Sequence, residues 1–116
     1  MNTNRTDRVF KALADAKRRR ILDLLAQKPR ITGDLVRAFP TLSRFAVMKH
    51  LAVLQQAGLI VVSREGRQRW NSLNAVPLQE ALGRWMGRQE EHWAAAALQL
   101  RDLAEASEGD APETQE

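Results

Sequence analysis

The segment from Ser43 to Gly58 carries the clearest helix signals in the chain and restricts what its neighbours can form. The Ser43 side chain can accept hydrogen bonds from a first helical turn, and glycine readily adopts the left-handed conformation that follows a last turn. Between them, apolar residues recur at the spacing of one helix face: Val47, Leu51 and Leu54. We predict a helix over residues 44–57 with one buried side and one polar side.

A shorter helix is predicted just before it. Thr32 is a suitable N-cap for a helix over residues 33–39, and Pro40 prevents that helix from continuing. A short helix, a turn and a longer capped helix form the pattern of a helix-turn-helix. The second helix of this motif enters the DNA major groove, so the polar side of residues 44–57 is a candidate DNA-reading surface.

Two β-rich runs follow the longer helix. Residues 59–64 and 68–73 are separated by Glu-Gly-Arg, and a glycine-containing turn between two such runs predicts a β-hairpin. The hairpin carries three arginines near its tip: Arg64, Arg67 and Arg69. A basic hairpin beside a helix-turn-helix can lay its arginines on flanking phosphates or in a narrow minor groove, which makes it a candidate wing.

Helices are also predicted on both sides of this region. The first covers residues 5–14, and Asp15 is a good N-cap for a second over residues 16–27. Pro77 can occupy the first turn of one long final helix that reaches about Glu105.

The predicted fold class is mainly α with a small β-hairpin, a winged helix-turn-helix in a single domain over residues 1–105. The last stretch, residues 106–116, is acidic and polar and is predicted to be a disordered tail. No apolar run is long enough to span a bilayer or to form a signal-peptide core, so a cytoplasmic location without membrane contact is expected.

Charge is unevenly distributed along the chain. Residues 1–74 contain 15 Lys and Arg against five Asp and Glu, whereas residues 75–116 contain three against nine. A basic body of this kind suits a polyanionic partner, although a basic surface that is merely solvated has the same composition. The sequence has no cysteine, which excludes disulfides, thiolate zinc sites and cysteine nucleophiles. It has no phosphate-binding glycine loop and no supported catalytic triad, so we predict no enzyme activity and no cofactor.

Individual roles can be predicted on the polar side of the longer helix. Arg44 can read a guanine through two hydrogen bonds, while Lys49 and His50 are better suited to phosphates. The predicted DNA-binding residues of the helix are Ser43, Arg44, Phe45, Lys49 and His50. The basic run at residues 17–20 opposes the dipole of its own helix, and either DNA-backbone contact or a solvated face with intramolecular ion pairs would account for it.

Three stretches together resemble the arsenical-resistance-repressor (ArsR) family of winged-helix regulators. They are LADAKRRRILDLL at residues 13–25, LSRFAVMKHLAVLQQAGLIVV at residues 42–62 and REGRQRWNSLN at residues 64–74. The resemblance implies a homodimer that binds a partly palindromic double-stranded operator and represses its own promoter. It also implies that the first and last helices form the dimer interface, through Val9, Phe10, Leu13, Leu82, Trp85, Trp93 and Leu100.

The sequence departs from the metal-sensing members of that family. Residues 33–39 lack the cysteine pair that such members carry, and the final helix has a single histidine, His92, beside Glu90 and Glu91. We therefore predict no metal site. Two other functions stay open: a sensor that holds a metal or small-molecule effector around Trp85, His92 and Trp93, and a winged helix that binds a protein instead of DNA.

Overall fold

The computed structural model describes residues 2–87 and 89–110, with side chains for residues 4–87 and 89–107. The helices and strands, in chain order, are α1 (Asn2–Leu13), α2 (Ala16–Gln27), β1 (Arg30–Ile31), α3 (Thr32–Arg37), α4 (Arg44–Gln56), β2 (Ile60–Glu65), β3 (Gln68–Leu73), α5 (Val76–Gly87) and α6 (Glu90–Asp110). The chain divides into two compact units, Met1–Ala81 and Leu82–Glu116.

Local capping explains the best-defined helices of the first unit. The Asp15 carboxylate accepts hydrogen bonds from the backbone N–H of Lys17 and Arg18 at the start of α2. The Ser43 hydroxyl accepts one from Ala46 N–H at 3.0 Å at the start of α4. Gly58 follows α4 with φ +77°, a conformation that other residues adopt only with strain. These elements confirm the predicted boundaries to within one residue.

The hydrophobic core of the first unit is built on the apolar faces of the helix-turn-helix. Its largest fully buried side chains include Ile21 of α2, Leu35 of α3, and Leu51 and Leu54 of α4. Leu59, which precedes β2, completes this cluster. Because one face of α4 packs into this core, the opposite face remains exposed to solvent, and that face includes residues of the first turns.

The sheet has three strands in the order β1-β3-β2, all antiparallel. The hairpin was predicted, but β1 was not, because two residues carry no periodicity. Its partner lies about forty positions further on, with Arg30 opposite Asn71. The fully buried Asn71 amide donates to the backbone oxygen of Arg30 at 3.2 Å and to Thr32 Oγ1 at 3.1 Å. The hairpin is thereby attached to the residues that lead into α3.

The prediction that Thr32 caps a helix over residues 33–39 is wrong. Helix α3 begins at Thr32 itself, follows Ile31 without a side-chain cap, and ends at Arg37. The Thr32 hydroxyl is used elsewhere, because it accepts from Asn71 and donates to the Arg69 backbone oxygen at 3.5 Å. A buried hydroxyl that finds partners in the sheet is not available to a helix terminus.

The single long C-terminal helix is also corrected. Helix α5 ends at Gly87 and α6 begins at Glu90, so two helices stand where one was predicted. Helix α6 continues to Asp110, so its last five residues, 106–110, fall within the stretch predicted to be a disordered tail. The remainder of the predicted tail, residues 111–116, lies outside the described residues.

Arginines of the basic run stabilise the end of α1. Arg18 donates through Nε to the Ala12 backbone oxygen at 2.9 Å and through Nη2 to that of Lys11 at 3.0 Å. Arg19 donates through Nη1 to the Leu13 oxygen. Carbonyls of a last helical turn have no partner within the helix, and cations there are also favoured by the helix dipole. This intramolecular use of Arg18 and Arg19 compensates for their position near the start of α2.

Replacing Asp15 with alanine is expected to lower the free energy of unfolding by about 0.5–2 kcal/mol at pH 7, since the start of α2 loses its cap. Burial by itself raises the pKa of this carboxyl. The backbone N–H groups of Lys17 and Arg18, together with the positive charge of Arg18, lower the pKa more, so it falls below its ordinary value of 3.8. The charge-dependent part of the stabilisation is therefore present above about pH 4 and is lost as the pH falls through the folded-state pKa.

Urea unfolding at pH 7 and at decreasing pH measures this effect. Asp23→Ala, an exposed position in the middle of α2, is the control and is expected to change stability by less than about 0.5 kcal/mol. Equal destabilisation by the Asp15 and Asp23 substitutions would contradict the assigned cap.

Candidate DNA interface

The exposed side of α4 collects the residues that the sequence predicted for DNA contact. Ser43, Arg44, Phe45 and Lys49 are exposed, while the side chain of Val47 between them is fully buried. His50 is half-buried. The Ser43 hydroxyl already caps α4, which leaves the guanidinium of Arg44 as the strongest hydrogen-bond donor in the first turn.

The three wing arginines lie close to Arg44. A groove of about 300 Å³ runs between α4 and the hairpin. Its lining residues are Ile31, Thr32, Gly33, Arg44, Met48, Arg64, Arg67, Gln68 and Arg69. Four guanidinium groups and no carboxylate line it among the described residues, so the groove is a site of positive potential suited to phosphate oxygens.

The wing arginines differ in how firmly they are held. Arg64 and Arg69 are opposite each other in the hairpin, and Arg67 lies in the turn beside Gly66. Arg69 is half-buried and donates through Nη2 to Gln55 Oε1 of α4 at 3.2 Å. It therefore braces the hairpin against α4, while Arg64 and Arg67 are exposed and available to a ligand. Nothing in the sequence pattern indicated Gln55 as the partner, because the contact depends on how the hairpin packs.

His50 is held by α2. Nη1 of Arg18 lies 3.2 Å from Nδ1 of His50, and the same guanidinium is 4.0 Å from the Asp15 carboxylate. A guanidinium only donates, so Nδ1 is the acceptor in this contact and Nε2 is the ring nitrogen left for other partners. The predicted phosphate contact of His50 is thus restricted to Nε2. Arg18, which the sequence left with two interpretations, acts here as a link between α1, α2 and α4.

Comparison with known proteins identifies the class to which this geometry belongs. The family described as "Bacterial regulatory protein, arsR family" matches residues 15–62, the stretch from the Asp15 cap to β2. The HTH-type transcriptional regulator YuzN of Bacillus subtilis, itself uncharacterized, is 38% identical over a 92-residue alignment that covers 74% of this chain and 99% of YuzN. The transcriptional repressor SdpR of the same organism is 40% identical over 78 residues, 67% of this chain and 84% of SdpR.

The chain belongs to the ArsR family. Solved structures agree with the winged helix-turn-helix. A crystal structure of an ArsR family transcriptional regulator superimposes with a TM-score of 0.72 at 29% identity, covering 81% of this chain and 95% of the other. HlyU from Vibrio cholerae gives 0.59 at 28% identity, covering 72% and 94%. The protein is thus a DNA-binding transcriptional regulator of the ArsR family and not an enzyme, as predicted.

The second unit of this ArsR-family chain presents apolar side chains to solvent. Every described residue from 82 to 107 is exposed in the single chain. The large apolar side chains among them are Leu82, Trp85, Met86, Trp93, Leu98, Leu100 and Leu103. The Trp85 and Trp93 rings lie 5.0 Å apart between centroids and are tilted by 36°. Beside them, an apolar depression of about 590 Å³ is lined in part by Met86, Glu90 and Trp93.

The residues predicted for dimer contact in α1 are not equally accessible. Val9 is only 2% exposed and belongs to the core of its own chain, so its side chain offers no surface to a partner. Phe10 is 38% exposed and Leu13 is partly buried against the core. The resemblance implied a dimer contact for all three residues, but packing divides them between the interior and the surface.

His92 makes a local contact. Its Nδ1 lies 2.7 Å from Oε1 of Gln89 at the start of α6. Within the described ranges, no three His, Asp or Glu side chains come together in a way that could hold a metal ion. Within the same ranges, no helix has the length and apolar character needed to cross a membrane.

Proposed function

We propose that this ArsR-family regulator is a homodimeric repressor that acts in the cytoplasm and binds a partly palindromic operator, including one in its own promoter. Each protomer inserts α4 into a major groove and lays the hairpin on the adjacent backbone. The two copies of α4 meet successive major grooves about 34–36 Å apart. Occupation of promoter DNA by the dimer excludes transcription.

The groove between α4 and the hairpin is the observation that carries the DNA-binding part of the proposal. It brings Arg44, which projects from the helix that faces base edges, together with Arg64 and Arg67 of the wing. A helix-mounted arginine is suited to guanine, and hairpin arginines are suited to phosphates. This division supports a site that both positions the protein and reads sequence. A winged helix that binds only a protein has no need of such a cluster.

The exposed apolar residues of α5 and α6 support the dimer. Helix α6 has 21 residues, and in its described part none is buried in the single chain. Helices in water gain most of their stability from packing an apolar face, so α6 requires a partner surface. A second copy of the same helices can supply that surface. In a two-fold symmetric dimer both chains use the same patch, so the apolar side chains around Trp85 and Leu100 of one chain can pack against the same patch of the other. The repressor role is supported by the similarity to SdpR.

The proposal is tested by fluorescence anisotropy of the purified protein on duplex DNA from its own upstream region. We expect tight binding to that duplex, much weaker binding to a random duplex of equal length, and a steep decrease of log affinity with log salt concentration. Equal affinity for both duplexes at every salt concentration would contradict a specific operator in this promoter.

A further inference from the structure

Phe45 is the most exposed large apolar side chain in the described part of the chain. It is the second residue of α4, and 72% of its surface is accessible. Other positions in the same helix, such as Val47 and Leu51, are completely buried. A phenylalanine left in water forgoes the free energy of burial that its ring would gain elsewhere, so an exposed ring at this position is best explained by a ligand that covers it.

The capping of α4 does not require Phe45. The hydrophobic contact that fixes the start of a helix joins the residue before the N-cap to the fourth helical residue. In this chain those positions are Leu42 and Val47, both of which belong to the core or pack against it. Phe45 lies instead at the second helical position, beside Arg44. The Lys49 side chain of the same helix lies over it, with Nζ 5.4 Å from the ring centroid.

We propose that Phe45 reads thymine in the operator by contact with the C5-methyl group. The inference rests on the proposed function, in which this side of α4 enters the major groove. There, thymine presents a methyl group that no other base carries, and a ring without hydrogen-bonding groups can distinguish bases only by apolar contact. Lys49 lies over the ring on the same helix face, where its positive charge is placed near the phosphates of the DNA backbone.

Uracil provides a precise test, because it pairs as thymine does and differs only in lacking the methyl group. The full chain first selects its preferred duplex from a randomised library. Each thymine of that duplex is then replaced singly by deoxyuridine, and the affinity is measured by anisotropy. At one or more positions in each half-site, we expect the wild type to bind the uracil duplex about fourfold more weakly, the factor that corresponds to one buried methyl group.

The Phe45→Ala variant is expected to bind the thymine and uracil duplexes with affinities that agree within about 1.5-fold, and Phe45→Leu is expected to retain part of the difference. Arg67→Gln is the matched control. It weakens binding to both duplexes but keeps the wild-type ratio, because its expected partner is a phosphate. Circular dichroism and urea unfolding establish that the Phe45 variants are folded.

Two results would overturn the inference. One is a selected duplex in which no thymine methyl affects wild-type binding, and the other is a thymine-to-uracil ratio that is the same in the wild type and in Phe45→Ala. Failure of the proposed function has a different signature. In that case the library yields no enriched sequence, and the inference fails with it before any base is replaced.

Discussion

Replacing Trp85 and Trp93 together with glutamate is expected to convert the protein into a monomer and to weaken operator binding by about 100-fold or more. Both rings are exposed in the single chain and contact each other, so charges at these positions would have to be buried in the proposed interface. Two DNA-binding units held in one dimer bind with an avidity about 10²–10⁴ times higher than either alone. Loss of the dimer removes that gain.

Light scattering coupled to size-exclusion chromatography measures the oligomeric state, and anisotropy measures the affinity. Gln79→Glu combined with Gln99→Glu is the charge-matched control, because it adds the same two carboxylates at exposed polar positions of α5 and α6. It is expected to leave the dimer intact. If the double tryptophan variant remains a dimer with wild-type affinity, the interface lies on another surface and the role proposed for α5 and α6 is wrong.

Replacing Arg64 and Arg67 together with glutamine is expected to reduce operator affinity on the order of 100-fold at physiological salt, and to reduce the slope of log affinity against log salt. Each phosphate contact contributes about 0.9 to that slope on B-DNA, and a dimer loses four contacts, so the slope is expected to fall by about 3.6. Both side chains are exposed, so folding is expected to be unaffected. Arg69 is left in place because it also holds the hairpin on α4.

The control for this variant is Lys28→Gln combined with Arg101→Gln, which removes the same charge at exposed positions outside the groove. If the control lowers the salt slope as much as the wing variant does, the effect arises from net charge and not from contacts made by the wing. An affinity loss without a change of slope would contradict phosphate contact by Arg64 and Arg67.

The sequence alone determined the helices that begin and end with local signals. Asp15, Ser43 and Gly58 act on backbone groups within a few residues of themselves, and the apolar spacing of α4 repeats within one helix. Such interactions depend little on the remainder of the chain. The hairpin is equally local, since its strands are joined by a turn at Gly66. These features were enough to predict the helix-turn-helix and the wing, while the family was indicated by the resemblance of three sequence stretches.

Tertiary structure decided what depends on residues distant in the sequence. Strand β1 pairs with β3, where Arg30 lies opposite Asn71, and the Thr32 hydroxyl accepts a hydrogen bond from that same asparagine and does not cap a helix. The roles of Arg18 and Arg69 were decided in the same way, because each contacts a side chain that is distant in the sequence. Arg18 contacts His50, and Arg69 contacts Gln55.

Burial was decided at the same level. Val9 lies inside the core, although the family resemblance implied a dimer contact for it, whereas Trp85 and Leu100 are exposed in the single chain. A periodic pattern shows which residues share a face of a helix. It does not show what covers that face, because the covering surface is supplied by other segments or by a second chain.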